Sequence, residues 1–176
     1  MDITYAFTDD CFRQVVLDRY CDQRGFIQES DVYEIETLQL SNHNISNLDG
    51  IEYFRGLHEL DCAYNQLTDL DLTHNHKLST LRCRENQLLT LDLTSNLELR
   101  VLDCSFNRLR QLDLSHNSML VTVECHWNML SKLDLERLEH LEELSCSYNA
   151  LSLLSLNAIY TCGDWIVPTI TCWNLM

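Results

Sequence analysis

The sequence predicts a solenoid of coils stacked on a parallel β-sheet, with a helical cap at its N-terminal end. Three observations lead there. One motif recurs every 21 residues through most of the 176-residue chain. Inside each copy two apolar positions stand two apart, which is the period of a strand with one buried face. Glycine (4) and proline (1) are scarce while hydrophobic residues make up 45%. That balance supports a continuous core and argues against disorder or a sandwich of tight turns.

Residues 1–34 precede the repeats and read as the cap, because a terminal coil otherwise exposes the edge of its core. Thr8 is placed to cap a helix whose first turn holds Asp9 and Asp10. Phe12, Val15, Val16 and Tyr20 then follow at helical spacing. The stretch YCDQRGFIQESD, from Tyr20 to Asp31, has the outline of a calcium loop, with Gly25 at the bend and Ile27 at the short strand. Its ligand positions have decayed: Tyr20 stands at the first and Arg24 at the third ligand site, and only Asp22 and Asp31 remain suitable. Calcium takes six or more oxygens. The segment therefore reads as a degenerate, EF-hand-like helix-loop-helix lid.

Residues 35–161 hold about six repeats. Leu57, Leu78, Leu99, Leu120 and Leu141 each open the pattern LxxLxCxxNxLxxL, 21 residues apart. Cysteines fall in register at Cys62, Cys83, Cys104, Cys125 and Cys146, and asparagines at Asn65, Asn86, Asn107, Asn128 and Asn149. An earlier copy starts at Ile35, with Leu40 at the cysteine position and His43 at the asparagine position. The Leu-x-Cys pair turns both side chains inward, and stacking copies buries what one strand cannot bury alone. Each asparagine sits where the chain leaves the strand. There its amide can bond its own turn and the neighbouring coil. A second pattern, LxxLDLxxN, is nested in each copy, as in LTDLDLTHN and LRQLDLSHN. It predicts another short extended segment, not a helix, on the opposite side of each coil.

This nested unit, LxxLxCxxNxLxxLDLxxN, resembles the bacterial leucine-rich repeat class sometimes called the IRREKO type. The resemblance covers roughly residues 35–160. It implies a leucine-rich repeat solenoid and a role in protein interaction, without naming a partner.

Residues 162–176 read as a C-terminal cap strand. The register continues to Cys162, and Trp165 and Val167 take inward positions, so DWIV is expected as the last strand. The end, TITCWNLM, offers no polar lid. Trp173, Leu175 and Met176 fold back, or an edge strand pairs with a second copy in a homodimer, or the chain is a shortened member of a longer repeat protein.

Charge narrows the partners. The chain carries 27 acidic and 12 basic residues, net −15. Nucleic acid and anionic membranes both need a positive footprint, so neither is an expected partner; a basic protein is. Five of nine cysteines occupy one core position and the count is odd. Free thiols in a reducing, cytoplasmic setting are the expectation. No leader or membrane span is visible, although leaderless export stays open.

The outward columns hold the candidate site. The position before each asparagine reads Asn42, Tyr64, Glu85, Phe106, Trp127, Tyr148. Large aromatics on a solvent-facing row have no evident structural need and are enriched at interface hot spots. Stacking on one another is the structural alternative. Beside them run Asp61, Arg82, Asp103 and Glu124 between leucine and cysteine, and Ser41, Ala63, Arg84, Ser105, His126 and Ser147 after it. The expected partner-binding set is Tyr64, Phe106, Trp127 and Tyr148 with Asp61, Asp103, Glu124, Arg82 and Arg84. Acidic groups steer a basic partner and aromatics hold it. A further row, Asp71, Asp92, Asp113 and Asp134, has Thr73, Thr94 and Ser115 two residues on. It reads as a hydrogen-bonded structural ladder. His74 and His116 lie two coils apart, roughly 10 Å, too far to share one ion. No catalytic motif, metal set or cofactor fingerprint is present, so no enzyme activity, metal or cofactor is expected. The other readings are an effector or adhesin engaging host protein or glycan, and a degenerate remnant.

Overall fold

The computed structural model describes residues 1–155 and the strand at 169–171. Strands of three residues form the sheet: β1 (Thr37–Gln39), β2 (Glu59–Asp61), β3 (Thr80–Arg82), β4 (Val101–Asp103), β5 (Thr122–Glu124), β7 (Glu143–Ser145) and β9 (Thr169–Thr171). They pair in that order, every pair parallel. The register puts Leu38, Leu60, Leu81, Leu102, Val123 and Leu144 in one line. The cysteines follow two residues on, and Cys62, Cys83, Cys104 and Cys125 are fully buried. Period two has turned both positions into the core, and a parallel sheet with one face packed inward results.

The opposite side of the coil is extended but mostly lacks ladder pairing. Among the described residues only β6 (Lys132–Asp134) and β8 (Leu153–Ser155) pair there, as a two-stranded parallel sheet. In the earlier copies Leu70, Leu72, Leu91, Leu93, Leu112 and Leu114 are buried without forming strands. The nested hook therefore supplies core, and the coil is thin.

The cap begins with α1 (Asp10–Tyr20) and a single turn, α2 (Glu29–Val32). Phe12 and Val16 are buried, with Val15 and Tyr20 packed partly against them. The helix start differs from the expectation by one residue. Asp9 is the cap, accepting a hydrogen bond from the Phe12 N–H at 2.9 Å. Thr8 instead turns its hydroxyl to the first coil, donating to Asp49 at 2.5 Å and to Asn47 at 3.0 Å. The second oxygen of Asp9 accepts from the N–H and hydroxyl of Ser46, so the helix start is bolted to the repeats. Phe7, Phe12 and Phe54 pack ring to ring at 5.2–6.4 Å. Gly50 stands against them at φ 102°, where a Cβ would come within 2.8 Å of the Phe7 ring. Between α1 and α2 the Arg24 guanidinium bonds Asp31 at 2.6 Å, so a cation from the chain itself holds that carboxylate.

The expected strand over DWIV, with Cys162, Trp165, Val167, Trp173, Leu175 and Met176, lies outside the described residues; the last described strand, β9, pairs with β7 at the C-terminal edge of the sheet. Among the described residues no helix is long and apolar enough to cross a membrane.

Candidate functional site

The asparagine after each strand builds the rim on which the site sits. Asn86 shows the pattern. Its amide nitrogen donates to Cys62 O of the preceding coil and Cys83 O of its own, each at 3.0 Å. Its amide oxygen accepts from the Leu67 N–H at 2.9 Å. Asn65, Asn107, Asn128 and Asn149 repeat the arrangement. A second row, not assigned a role from the sequence, lies on the other side of the coil. Asn75, Asn96 and Asn117 are fully buried. Their nitrogens donate to the coil before, as from Asn96 to Leu72 O and Asn75 O. Their amide oxygens are enclosed without a partner.

The turn at this rim sets the backbone of the aromatic row. Asn42, Tyr64, Glu85, Phe106, Trp127 and Tyr148 all have positive φ, between 54° and 61°. They are therefore left-handed corners, not outward strand positions as the spacing indicated. Such a backbone costs a non-glycine residue on the order of 1 kcal/mol. Asparagine tolerates it; tyrosine, phenylalanine and tryptophan have no local reason to be there.

Three of the four rings come together. Phe106 and Trp127 stack at 5.5 Å and 15°, and Trp127 and Tyr148 at 4.2 Å and 14°. His126 meets Phe106 edge-on at 5.3 Å, its Nδ1 within 3.2 Å of the Ser105 and Ser145 hydroxyls. Tyr64 stands apart, 48% exposed and without a ring contact. Trp127 and Tyr148 are about half exposed. Arg84 from the neighbouring column lays its guanidinium over Phe106, 4.7 Å from the ring centre.

The flanking residues divide. Asp61 accepts the Ala63 N–H, and Asp103 accepts the N–H and hydroxyl of Ser105, so one oxygen of each closes its own turn. Ala63 and Ser105, expected to face outward, are buried. Arg82 pairs with Glu59 at 2.7 Å. The Glu124 carboxylate makes no hydrogen bond or ion pair among the described residues. On the opposite side Asp71 and Asp92 each accept the N–H and then the hydroxyl of the threonine two residues on, which holds them below the ordinary carboxylate range.

The cysteine column is chemically quiet. Burial raises the thiols of Cys62, Cys83 and Cys104 well above their ordinary value, and pushes Cys125 up to about 12. A thiol kept protonated is neither nucleophile nor metal ligand. Cys146 departs from the expectation of free thiols: it is disulfide-bonded.

No protein-family model matches the sequence, and no curated protein does. Solved structures do. The functional domain of InlJ from Listeria monocytogenes, which includes a cysteine ladder, superposes with TM-score 0.72 at 28% identity, covering 100% of this chain and 44% of that one. The fold is a leucine-rich repeat solenoid. An internalin from the same organism gives TM-score 0.67 at 18% identity over 86% of this chain and 57% of its own. The LRIM1/APL1C complex matches at TM-score 0.63 and 24% identity over 73% and 26%. The leucine-rich repeat chain thus spans about half the length of the internalins it resembles.

Proposed function

We propose that the leucine-rich repeat solenoid is a protein-interaction module that docks a basic protein partner along the rim after its strands. The contact set is Tyr64, Phe106, Trp127 and Tyr148, with Asp61, Asp103 and Glu124 alongside and Arg82 and Arg84 between them. One observation carries the reading. Four large aromatics occupy left-handed corners that disfavour them. Stacking returns roughly 1 kcal/mol per pair, which offsets the strain at Phe106, Trp127 and Tyr148 without a surplus. Tyr64 has the strain and no ring to offset it. Residues kept against their local preference mark functional positions, and Tyr and Trp dominate interface hot spots.

The net charge of −15 sets the character of the partner: complementary charge speeds encounter and suppresses acidic competitors. The mutual stacking counts against a glycan ligand, because a sugar ring needs a bare aromatic face and the central rings cover one another. The LRIM1/APL1C complex contains a chain of similar fold, which supports a protein ligand in kind.

The test is capture of partners from native lysate by the wild type and by a Phe106→Ala, Trp127→Ala, Tyr148→Ala variant of matched folding. The expected result is a species held by the wild type, lost by the variant, and released as salt rises above ~0.15 M. Equal retention by both places the contact elsewhere and overturns the proposal.

A further inference from the structure

We propose that Arg84 receives a carboxylate from the partner, next to an aromatic or aliphatic side chain that lies on the ring edges of Phe106 and Trp127. The inference rests on the aromatic rim being the docking surface and adds the chemistry that the partner must present there.

The row itself explains how Arg84 comes to be placed. At its third level stands Glu85, which has no ring. Arg84 steps in from the adjacent column and continues the stack above Phe106 at 4.7 Å. The ladder therefore runs guanidinium, phenyl, indole, phenol over four coils. A guanidinium held against a ring keeps its in-plane N–H donors for something else.

Nothing in the described chain takes them. Arg13 bonds Asp10 and the Phe7 carbonyl, Arg24 bonds Asp31, and Arg82 bonds Glu59. Arg19 donates to the Gln39 carbonyl at 2.5 Å. Arg84 has neither an ion pair nor a hydrogen bond from its side chain, and its Nε is enclosed with no partner. This occurs in a chain with 27 acidic side chains, three of them, Asp61, Asp103 and Glu124, on the neighbouring column. Asp61 and Asp103 turn an oxygen back to their own turns, and Glu124 makes no bond to Arg84. An unsatisfied guanidinium N–H is costly, and a planar fork is the group best matched to a carboxylate.

The overall partner remains basic, since the long-range field of the chain is negative. The carboxylate acts at contact range, where it fixes position along the ladder. Two sources supply this chemistry: an Asp or Glu side chain, and the carboxylate at a chain end.

The experiment follows the backbone amides and the Trp127 indole by two-dimensional NMR near 0.15 M salt. Three compounds are titrated: N-acetyltyrosine, N-acetyltyrosinamide and N-acetyl-Asp-Tyr-amide. The expected result is that at least one carboxylate compound shifts Arg84, Phe106 and Trp127, about tenfold more tightly than the neutral amide. Tighter binding of N-acetyltyrosine assigns a chain end, and tighter binding of the Asp-Tyr compound an internal acidic residue. Arg84→Gln is expected to erase the preference and Arg84→Lys to leave part of it, since charge survives and the fork does not. Unchanged amide shifts along the asparagine rows verify that both variants keep the fold. If the neutral amide binds as tightly, or the preference survives Arg84→Gln, the inference falls while the rim remains a docking surface. If no compound shifts these residues the inference also falls. The docking reading itself fails only with the alanine variant that still captures its partner.

Discussion

Single residues on the rim combine two opposed demands, and Tyr64 shows them uncoupled. It has the left-handed backbone of its row and no ring to lean on. Tyr64→Asn is therefore expected to stabilise the fold, by roughly 0.5–1 kcal/mol or 1–3 °C in Tm, and to weaken partner capture. Thermal unfolding and capture measured on the same preparation check both halves. Trp127→Asn removes the strain together with two stacking contacts, so its Tm is expected to move by no more than roughly 2 °C while capture is lost. The left-handed corner was hard to read because its usual markers, glycine and asparagine, are missing from five of six copies. Asn42 alone kept the signal. Asp61 and Asp103 were similarly disguised: at an outward strand position a carboxylate looks free, whereas here each ties its own turn. The start of α1 slipped by one residue for a tertiary reason. Thr8 and Asp9 are both good caps, and the pull of Asp49 and Asn47 on the Thr8 hydroxyl decided between them.

At the level of the coil, the two asparagine rows are alike in spacing and unlike in consequence. Removing Asn86 leaves the buried Leu67 N–H with no acceptor, since the Asn86 oxygen is its only partner. Removing Asn96 orphans nothing of that kind. Leu72 O and Asn75 O still accept from the N–H groups of Asn75 and Leu78, and an unsatisfied oxygen disappears with the side chain. Asn86→Ala is thus expected to cost about 3 kcal/mol and Asn96→Ala about 1 kcal/mol, as read by urea denaturation. The first row was legible because asparagine at a strand exit has one obvious occupation. The second was visible as a repeat, but its burial depends on how the coil closes, which period alone does not convey. The expected extended segment on that side was right in direction. Among the described residues ladder pairing forms there only between β6 and β8.

Across the whole molecule, the parallel sheet and the inward cysteines were legible because each rests on periodicity repeated five times over. Which rings touch was not, since contact between columns depends on side-chain reach. Two bulk properties follow. The depressed aspartates give an acid dependence: a carboxylate whose folded value lies below its unfolded one stabilises above that unfolded value, and the contribution is lost as pH falls. Asp71 and Asp92 lie below 3.8 when folded, as does Asp9, where burial is outweighed by hydrogen bonds from Phe12 and Ser46. Tm is expected to drop as pH goes below about 3.8, in a scan by circular dichroism. The thiols give the second property. Iodoacetamide on the native protein is expected to label exposed Cys11 and to spare Cys62, Cys83, Cys104 and Cys125 until denaturant is added. Mass spectrometry of the labelled peptides reads the order.

Both asparagine rows send their amide N–H groups toward the coil before. Asn65 bonds Leu40 O, Asn86 bonds Cys62 O, Asn107 bonds Cys83 O and Asn128 bonds Cys104 O. Asn75 starts the other row on Ile51 O and Phe54 O, carbonyls of the connection beneath the cap. The strand-exit asparagine of each coil is thus a clasp that closes the coil before it, donating to a carbonyl of that coil and accepting from its N–H, as Asn107 does with Cys83 O and the Leu88 N–H. The molecule has the logic of a zip, in which each coil is finished only by the tooth that follows. A chain shortened from the C-terminal side leaves an N–H of its new last coil without an acceptor, as loss of Asn149 would leave that of Leu130.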